Sequence, residues 1–184
     1  MAVTYNVIGR YVELKSATVD DADFTLKIRQ DPSLNEFIPN IEGTVEQQKD
    51  WIAKKRLSDD DYFFVIWDKN CERIGTIGLY NCDGDKCEAG RLIVNGNAFQ
   101  SMESQMLSYD FAFETLKMKF VCSYIYKENS RAIRFSQTFG GDFDYEVAYD
   151  HSGRAMVKIT NYPEAYYPKR EQVVKMLYRV AQRS

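Results

Sequence analysis

The chain has 184 residues, of which 45% are hydrophobic and 28% charged, and its formal net charge is −3. This length suits one domain with a sizeable core, and the composition is that of ordinary globular proteins. The basic residues are not clustered, which argues against a nucleic-acid surface. No apolar run approaches the roughly 18 residues of a membrane helix, and no signal peptide is visible. We therefore expect a cytoplasmic protein without nucleic-acid or membrane partners.

The cysteines do not form a metal-binding pattern. Cys82 and Cys87 are spaced too widely for a zinc knuckle, and the single histidine, His151, is distant in sequence. Cys87 and Cys122 fall in predicted strands, where a free thiol behaves as a small apolar residue. We expect all four cysteines, including Cys71, to be reduced, and no metal site.

The first part of the chain predicts one strand and two helices. Residues 11–15 alternate between apolar and polar side chains, as a strand does. Thr18 and the acidic residues after it predict the start of a helix that reaches Gln30 and stops before Pro32. Residues 44–47 have the form of a capping box at the start of a second helix.

The middle of the chain predicts three strands joined by short turns, over residues 62–67, 74–80 and 87–94. Such neighbours form an antiparallel meander. An amphipathic helix is then predicted over residues 102–117, followed by a strand over 120–126. Because one helix joins these last two strands, they should run parallel.

The last part predicts a short helix over residues 130–139, a hairpin of strands over 142–149 and 154–160, and a final helix opened by Pro168. The element order predicts an α+β (mixed α/β) fold around a mostly antiparallel sheet of six to seven strands, flanked by helices. No linker marks a domain boundary. Residues 1–184 are therefore predicted to form a single domain with a C-terminal helical extension at about 163–184.

Four segments resemble motifs of the GNAT superfamily of acetyl-CoA-dependent N-acetyltransferases. Residues 72–79 resemble its xxIGxIxL strand, and residues 88–91 its E-x-G-(Y/R) strand. Residues 102–113 resemble its TEA…YAF helix, and residues 129–140 its N-x-x-A…G segment. The resemblance is greatest to the ribosomal-protein-modifying and nucleotide-sugar branches. It implies a splayed parallel strand pair at the centre of the sheet.

The resemblance also implies where acetyl-CoA binds as co-substrate. Its pantetheine arm would insert where the strand ending at Ile93 and Val94 separates from the next strand, and its pyrophosphate would meet the start of the Met102 helix. Asn129 would contact the cofactor, with N-capping of the following helix as an equal alternative. The full set of cofactor residues implied in this way is Ile93, Val94, Asn95, Gln100, Ser101, Met102 and Asn129.

The chain departs from the family pattern at two positions. Phe99 stands where the phosphate loop has its central glycine, so the loop loses close backbone approach to a phosphate unless the ring points away. Ser136 stands where many members have a tyrosine that protonates the departing thiolate, and it is the corresponding catalytic candidate. Two interpretations follow: acetyl-CoA binds to a reshaped turn, or the site has lost it.

The family chemistry is direct attack of a neutral amine on the thioester. A base must come from a carboxylate, and Glu88 on the central strand is the first choice; a glutamate merely hydrogen-bonded in the sheet is the alternative. Asp83 and Asp85 follow as candidates, although Asp-Gly-Asp is typical of a turn. Backbone amides at residues 93–95 are the expected oxyanion donors.

The acceptor cleft should be bounded by the loop of residues 35–43 and the hairpin turns. Phe37, Tyr80 and Arg91 are the predicted substrate-binding residues, with Arg91 suited to a diphosphate. The acceptor is predicted to be a small-molecule amine, with a nucleotide-linked amino sugar as the first choice. A protein N-terminus and a non-catalytic binding module are the alternatives. Either a monomer or a homodimer fits the sequence.

Overall fold

The computed structural model describes residues 3–38 and 42–181. Its elements follow the predicted order of strands and helices, with one strand more at the start. They are β1 (Asn6–Ile8), β2 (Val12–Ser16), α1 (Ala22–Gln30), α2 (Val45–Lys55), β3 (Tyr62–Asp68), β4 (Arg73–Tyr80), β5 (Lys86–Val94), α3 (Ala98–Asp110), β6 (Phe120–Tyr126), α4 (Ser130–Gln137), β7 (Asp142–Tyr149), β8 (Ala155–Asn161) and α5 (Pro163–Ala181).

The strands form one sheet in the order β1-β2-β3-β4-β5-β6-β8-β7. Every neighbouring pair is antiparallel except β5 and β6, which are parallel. The predicted mixed fold with one central parallel pair is thus confirmed. The sheet has eight strands rather than six or seven because the three residues of β1 pair with β2. A strand so short carries too little alternation to be detected in the sequence.

Helices cover both faces of the sheet. On one face, termed the α3 face, α3 and α5 pack on alternate strand residues such as Phe64 and Leu79. On the other, termed the α1–α2 face, Ala22 and Ile52 pack on Phe63 and Val65. The alternation of β3 between the two cores follows from the two-residue period of a strand. Of the helices described, none is long and apolar enough to cross a membrane.

Helix α3 begins at Ala98, four residues earlier than predicted, and this corrects the boundary of the preceding turn. Asn97 and Gln100 form a capping box, which satisfies the first helical amides and so starts the helix there. At its other end the helix passes into a π-helical turn, Phe111–Thr115. A run of i→i+5 bonds of this kind leaves no sequence signature.

The C-terminal helix α5 is anchored to α3 by a partly buried ion pair. Arg170 donates from Nε and Nη2 to the two carboxylate oxygens of Asp110, at 2.6 and 2.8 Å. The hydroxyl of Tyr166 donates to the same carboxylate at 2.7 Å. The helix starts at Pro163, so Pro168 lies inside it and does not open it as predicted. Pro163 takes that role, since the first helical position needs no N–H bond.

Candidate active site

The sheet opens between its two parallel strands. Register pairs join β5 to β6 only at Lys86↔Phe120, Cys87↔Val121 and Glu88↔Cys122. Beyond Glu88, β5 continues to Val94 and β6 to Tyr126, and no further pair joins them among the described residues. A central strand therefore has one hydrogen-bonding edge free over most of its length. This edge has the form that accepts an added strand or an extended ligand.

A β-bulge in β5 lies at the opening. The register between β4 and β5 shifts between Thr76 and Gly78, and Arg91 opposite has a positive φ of 55°. The buried hydroxyl of Thr76 donates to the carbonyl oxygen of Arg91 at 2.8 Å and so fixes the bulged residue. Because a bulge bends its strand, it is well placed to turn β5 away from β6.

The predicted cofactor strand presents one amide to the gap. The Asn95 N–H donates to the Ile74 carbonyl oxygen of β4 at 2.7 Å, so this amide belongs to the sheet. Backbone direction alternates along a strand, and the Val94 N–H consequently points to the opposite side, where β5 has no partner. Ile93 is buried with 4% exposure. Of residues 93–95, Val94 offers the free amide donor.

The start of α3 is occupied by its own side chains. Asn97 Oδ1 accepts from the amides of Phe99 and Gln100 at 2.9 and 3.0 Å, and Gln100 Oε1 accepts from the Asn97 amide at 2.8 Å. The hydroxyl of Ser101 donates to the Asn97 carbonyl oxygen at 3.2 Å. Met102 is half-buried against the α3-face core. A phosphate at these amides would have to displace the side chain of Asn97.

The ring of Phe99 points away from this turn. It stacks on Tyr11, with ring centroids 5.8 Å apart and an angle of 23° between the planes. Tyr11 is itself fixed by Glu103, whose buried carboxylate accepts from the amides of Arg10, Tyr11 and Val12 at 2.6 to 2.9 Å. With Phe99 in place of the family's glycine, the turn is less free in its backbone conformation, but the Phe99 ring does not cover the start of the helix.

The two predicted residues of α4 face different surroundings. Asn129 Oδ1 accepts from the Ala132 amide at 3.0 Å, so Asn129 is the N-cap of α4, as one of the two interpretations held. Ser136 is 5% exposed and lies beside the Tyr109 hydroxyl, and its Oγ has no hydrogen-bond partner among the described residues. Tyr109 donates to Asn161 at 3.1 Å, and burial raises the pKa of Tyr109 to about 12. Ser136 thus faces the α3-face core.

Glu88 lies in the last register pair before the gap. By the two-residue period it shares the α1–α2 face with Tyr80, its cross-strand neighbour, and Oε1 accepts from Asn81 Nδ2 at 2.9 Å. Its neighbour on β6 is Cys122. Burial, and after it the Glu88 charge, raises the pKa of the Cys122 thiol. A carboxylate, but no activated thiolate, is therefore placed where the sheet opens.

The other two candidate bases, Asp83 and Asp85, lie around the β4–β5 turn and have partners there. Asp83 Oδ1 accepts from the amides of Asp85 and Lys86 at 3.3 and 3.1 Å. Asp85 pairs with Lys119 at 2.9 Å in an exposed position. The Asp83 side chain therefore closes the turn, as the Asp-Gly-Asp signature predicts, whereas the Asp85 side chain ties the turn to the segment before β6.

Two of the predicted substrate residues contact each other on the α1–α2 face. The guanidinium of Arg91 lies 4.2 Å from the ring centroid of Tyr80 and 5.0 Å from that of Trp51. It donates to both oxygens of buried Asp61, at 2.6 and 2.9 Å, and Lys55 approaches the same carboxylate at 2.9 Å. Arg91 is thus committed to an ion pair, so a substrate contact through it stays a prediction.

The third predicted residue, Phe37, lies at the rim of the same face. Its ring is covered by the guanidinium of Arg154, at 5.6 Å, which also lies 3.9 Å from the ring of Tyr126. Asp150 holds the β7–β8 turn by accepting from Tyr126 and from the Arg154 amide, at 2.8 and 2.9 Å. Residues 39–41 of the predicted cleft loop lie outside the described residues. Sequence reasoning missed Arg154 and Tyr126, because only the fold brings β6 and the β7–β8 turn against this loop.

Comparison with protein families and known proteins identifies relatives of this chain. The family model described as "Acetyltransferase (GNAT) domain" matches residues 12–142. The acetyltransferase PseH of Campylobacter jejuni is 28% identical over 134 residues, covering 71% of this chain and 80% of PseH.

Solved structures share the fold over nearly the whole chain. The apo form of FdhC, described as a nucleotide-linked sugar GNAT, superposes with a TM-score of 0.81 at 22% identity, covering 95% of this chain and 99% of FdhC. A spermidine N-acetyltransferase from Vibrio cholerae, in complex with CoA and spermine, superposes with a TM-score of 0.77 at 12% identity, covering 85% and 98%. The family match over residues 12–142 shows that this chain belongs to the GNAT acetyltransferase family and is an N-acetyltransferase.

Proposed function

We propose that this protein transfers the acetyl group of acetyl-CoA to the primary amine of a small acceptor, and that the acceptor is an amino sugar carried on a nucleotide. The observation that carries the proposal is the opening of the sheet directly after Glu88. At this point a free strand edge and a carboxylate lie next to each other. The edge suits the extended arm of acetyl-CoA, and the carboxylate suits the amine.

The residues around the gap fit acetyl-CoA, which supplies an activated acetyl thioester. The Val94 N–H faces the gap and can donate to an amide or thioester carbonyl there, as a strand edge does. The helix start at Ala98 follows β5 after three residues and offers its positive dipole end to a pyrophosphate. The amides of Phe99 and Gln100 become available once Asn97 rotates away.

Glu88 is the proposed general base. A protonated primary amine cannot attack a thioester, and a lysine-like amine has a pKa of about 10.4, so the active site must remove a proton. Glu88 lies on the α1–α2 face at the end of the gap, where an acceptor amine can approach the thioester from the side opposite α3. Its bond to Asn81 holds one carboxylate oxygen and leaves the other to accept a proton, directly or through a water molecule.

Direct transfer fits the site better than transfer through the protein. A covalent route needs a thiolate or another activated nucleophile at the gap. Cys122 is the nucleophile nearest Glu88 in register, and burial together with the Glu88 charge keeps its thiol protonated by raising its pKa. The amine itself is therefore the proposed attacking group.

The choice of acceptor is supported by the surface of the α1–α2 face and by the relatives. Tyr80, Tyr126 and Phe37 are aromatic groups on this face, and rings of this kind stack on sugars and bases. FdhC, with the same fold, is described as a nucleotide-linked sugar GNAT. We extend that acceptor class to this chain as part of the proposal.

A panel of amines tests the proposal. The protein is incubated with acetyl-CoA and a thiol reporter, and a UDP-linked amino sugar is compared with glucosamine, spermidine and a short peptide. The expected result is a kcat/KM for the UDP-linked sugar at least tenfold above the others. A higher kcat/KM for the peptide would contradict the proposed sugar acceptor but would leave the proposed acetyl transfer from acetyl-CoA in place. Absence of thiol release with every amine, together with no acetyl-CoA binding, would leave a non-catalytic binding module.

A further inference from the structure

On the α1–α2 face lies an arginine whose buried Nε has no hydrogen-bond partner among the described residues. Arg29 continues the buried stripe of α1, since it follows Thr25 by four residues and Ala22 by seven, and both of these are 0% exposed. The helix therefore directs Arg29 towards the sheet and α2, where the preceding members of the stripe are apolar or hydrogen-bonded. A charged group at the end of such a stripe needs a partner.

The residues that the structure describes supply no such partner. Arg29 Nε is fully buried and makes no hydrogen bond, and no ion pair to the guanidinium is found in the described part of the chain. The charge that acts most strongly on it is that of the Arg91 guanidinium, which has the same sign. Burial and the Arg91 charge both lower the pKa of Arg29. Leaving a buried donor unpaired beside a second cation is costly, and proteins keep such an arrangement where a ligand completes it.

The charges around Arg29 are unbalanced. Arg91 and Lys55 share the single carboxylate of Asp61, so that carboxylate is already used by two cations. Glu88 interacts with Tyr80 and is bonded to Asn81. The cations of this group outnumber its carboxylates, and the excess positive charge lies at Arg29.

Two facing glycines let the side chains that neighbour Arg29 lie close to the sheet. Gly78 and Gly90 are direct cross-strand neighbours on the same face. A Cβ at Gly78 would lie 3.1 Å from Arg91 Cδ, and a Cβ at Gly90 would lie 2.6 Å from the Tyr80 hydroxyl oxygen. Because both positions lack a side chain, Arg91 and Tyr80 lie close against the sheet, and both act electrostatically on Arg29.

We propose that Arg29 binds an oxyanion of the acceptor, a phosphate or a carboxylate, beside Arg91 and Tyr80 on the α1–α2 face. This inference rests on the proposed function and deepens it, because it assigns the acceptor's negative group to a residue on α1. It also moves the phosphate contact predicted at Arg91 to Arg29. Arg91 is a supporting group: its ion pair with Asp61 fixes the floor of the site.

Binding of simple anions tests the inference without turnover. The wild type and the variant Arg29→Met are titrated by calorimetry with inorganic pyrophosphate and, separately, with glutarate. Saturating CoA is present so that neither anion enters the cofactor gap. Arg29→Met should weaken binding of one anion about 10- to 100-fold, the range for losing a charged hydrogen bond. Weakened pyrophosphate binding identifies a phosphate source, and weakened glutarate binding a carboxylate source.

The thermal unfolding midpoint separates binding from a structural role. Arg29→Met removes a buried, unpaired cation and keeps the apolar stem, so the midpoint should stay unchanged or rise. The matched control is Arg56→Met, which removes an arginine bonded to the Ala17 carbonyl oxygen at 2.7 Å and to Thr4 at 3.1 Å. The control should lower the midpoint and leave anion binding unchanged.

Two results would overturn the inference: wild type that binds neither anion, or Arg29→Met that binds both as wild type does. Either result leaves the proposed function intact if acetyl-CoA still binds and an amine is still acetylated. Loss of the proposed function would appear differently, as an absence of acetyl-CoA binding in wild type, and the anion titrations would then be repeated without CoA.

Discussion

Replacing Asn97 by alanine should make the protein less stable and its affinity for acetyl-CoA higher. Asn97 Oδ1 accepts from the amides of Phe99 and Gln100 at 2.9 and 3.0 Å, and these are the helix-start donors that a pyrophosphate would use. The side chain and the cofactor therefore compete for the same two N–H groups. The substitution removes the competitor and leaves the amides in place.

The size of the effect follows from the energy of a helix cap. Removal of an N-cap asparagine costs roughly 1 kcal/mol of unfolding free energy, within a range of about 0.5–2. In the bound protein Asn97 has already left the amides, so its removal costs nothing there. The difference of about 1 kcal/mol appears as a roughly fivefold lower Kd for acetyl-CoA. At saturating acetyl-CoA the variant and the wild type should have equal unfolding free energies.

Calorimetric titration with acetyl-CoA gives the Kd, and urea unfolding with and without acetyl-CoA gives the stability. Thr44→Ala is the matched control, since Thr44 caps α2 by accepting from the Gln47 amide at 3.3 Å, on the α1–α2 side of the sheet. It should lower the stability by a similar amount and leave the Kd unchanged within twofold.

A Kd that rises or stays constant in Asn97→Ala would refute the competition. In that case the pyrophosphate either binds elsewhere or uses the Asn97 side chain as a donor. If Asn97→Ala lowered the free energy of unfolding equally with and without acetyl-CoA, that result would independently refute the competition.

Three further outcomes are expected. Glu88→Gln should lower kcat by about 10²–10⁴-fold and leave the Kd for acetyl-CoA unchanged. Stopped-flow detection of thiol release measures kcat, and calorimetry measures the Kd. Full activity of the variant would remove Glu88 from the mechanism. Arg170→Met should lower the free energy of unfolding in urea by about 2 kcal/mol, because it leaves the largely buried Asp110 carboxylate without a cation. The control Lys119→Met removes an exposed ion pair and should lower it by less than about 0.5 kcal/mol. Burial raises the pKa of Tyr109 to about 12, above the value of about 10 for an unfolded tyrosine. Its contribution to the free energy of unfolding is therefore complete below a pH of about 10 and is lost as the pH rises towards 12. The thermal unfolding midpoint should fall over that pH range in the wild type and fall less in Tyr109→Phe.

The fold was largely accessible from the sequence because its strands and helices have clear periods. Strands such as Tyr62–Asp68 and the hairpin of Asp142–Tyr149 with Ala155–Asn161 appear where alternation predicts them. Strand Asn6–Ile8 escaped detection because three residues show no period. The boundary at Ala98 was missed because the segment around Phe99 was assigned to the phosphate loop, although Asn97 before it is a strong N-cap.

The candidate site was less accessible, since its side chains depend on contacts between distant segments. Glu88 was predicted to lie on the central strand, and only the fold shows that it lies on the α1–α2 face. The pairing of Arg91 with Asp61, in contrast, joins residues 30 apart in the chain and uses the guanidinium that was expected to meet a diphosphate. The burial of Ser136 against Tyr109 and the isolation of Arg29 arise only when α4 and α1 dock on the sheet. No sequence pattern predicts the burial of Ser136 or the surroundings of Arg29.

The central claim is that the gap between β5 and β6 receives acetyl-CoA, and hydrogen exchange at two neighbouring amides tests it most directly. The Val94 N–H faces the gap, whereas the Asn95 N–H is already bonded to the Ile74 carbonyl oxygen at 2.7 Å. Saturating acetyl-CoA should slow exchange at Val94 about tenfold or more and change Asn95 much less. Unchanged exchange at Val94, under conditions where calorimetry shows acetyl-CoA bound, would contradict the account.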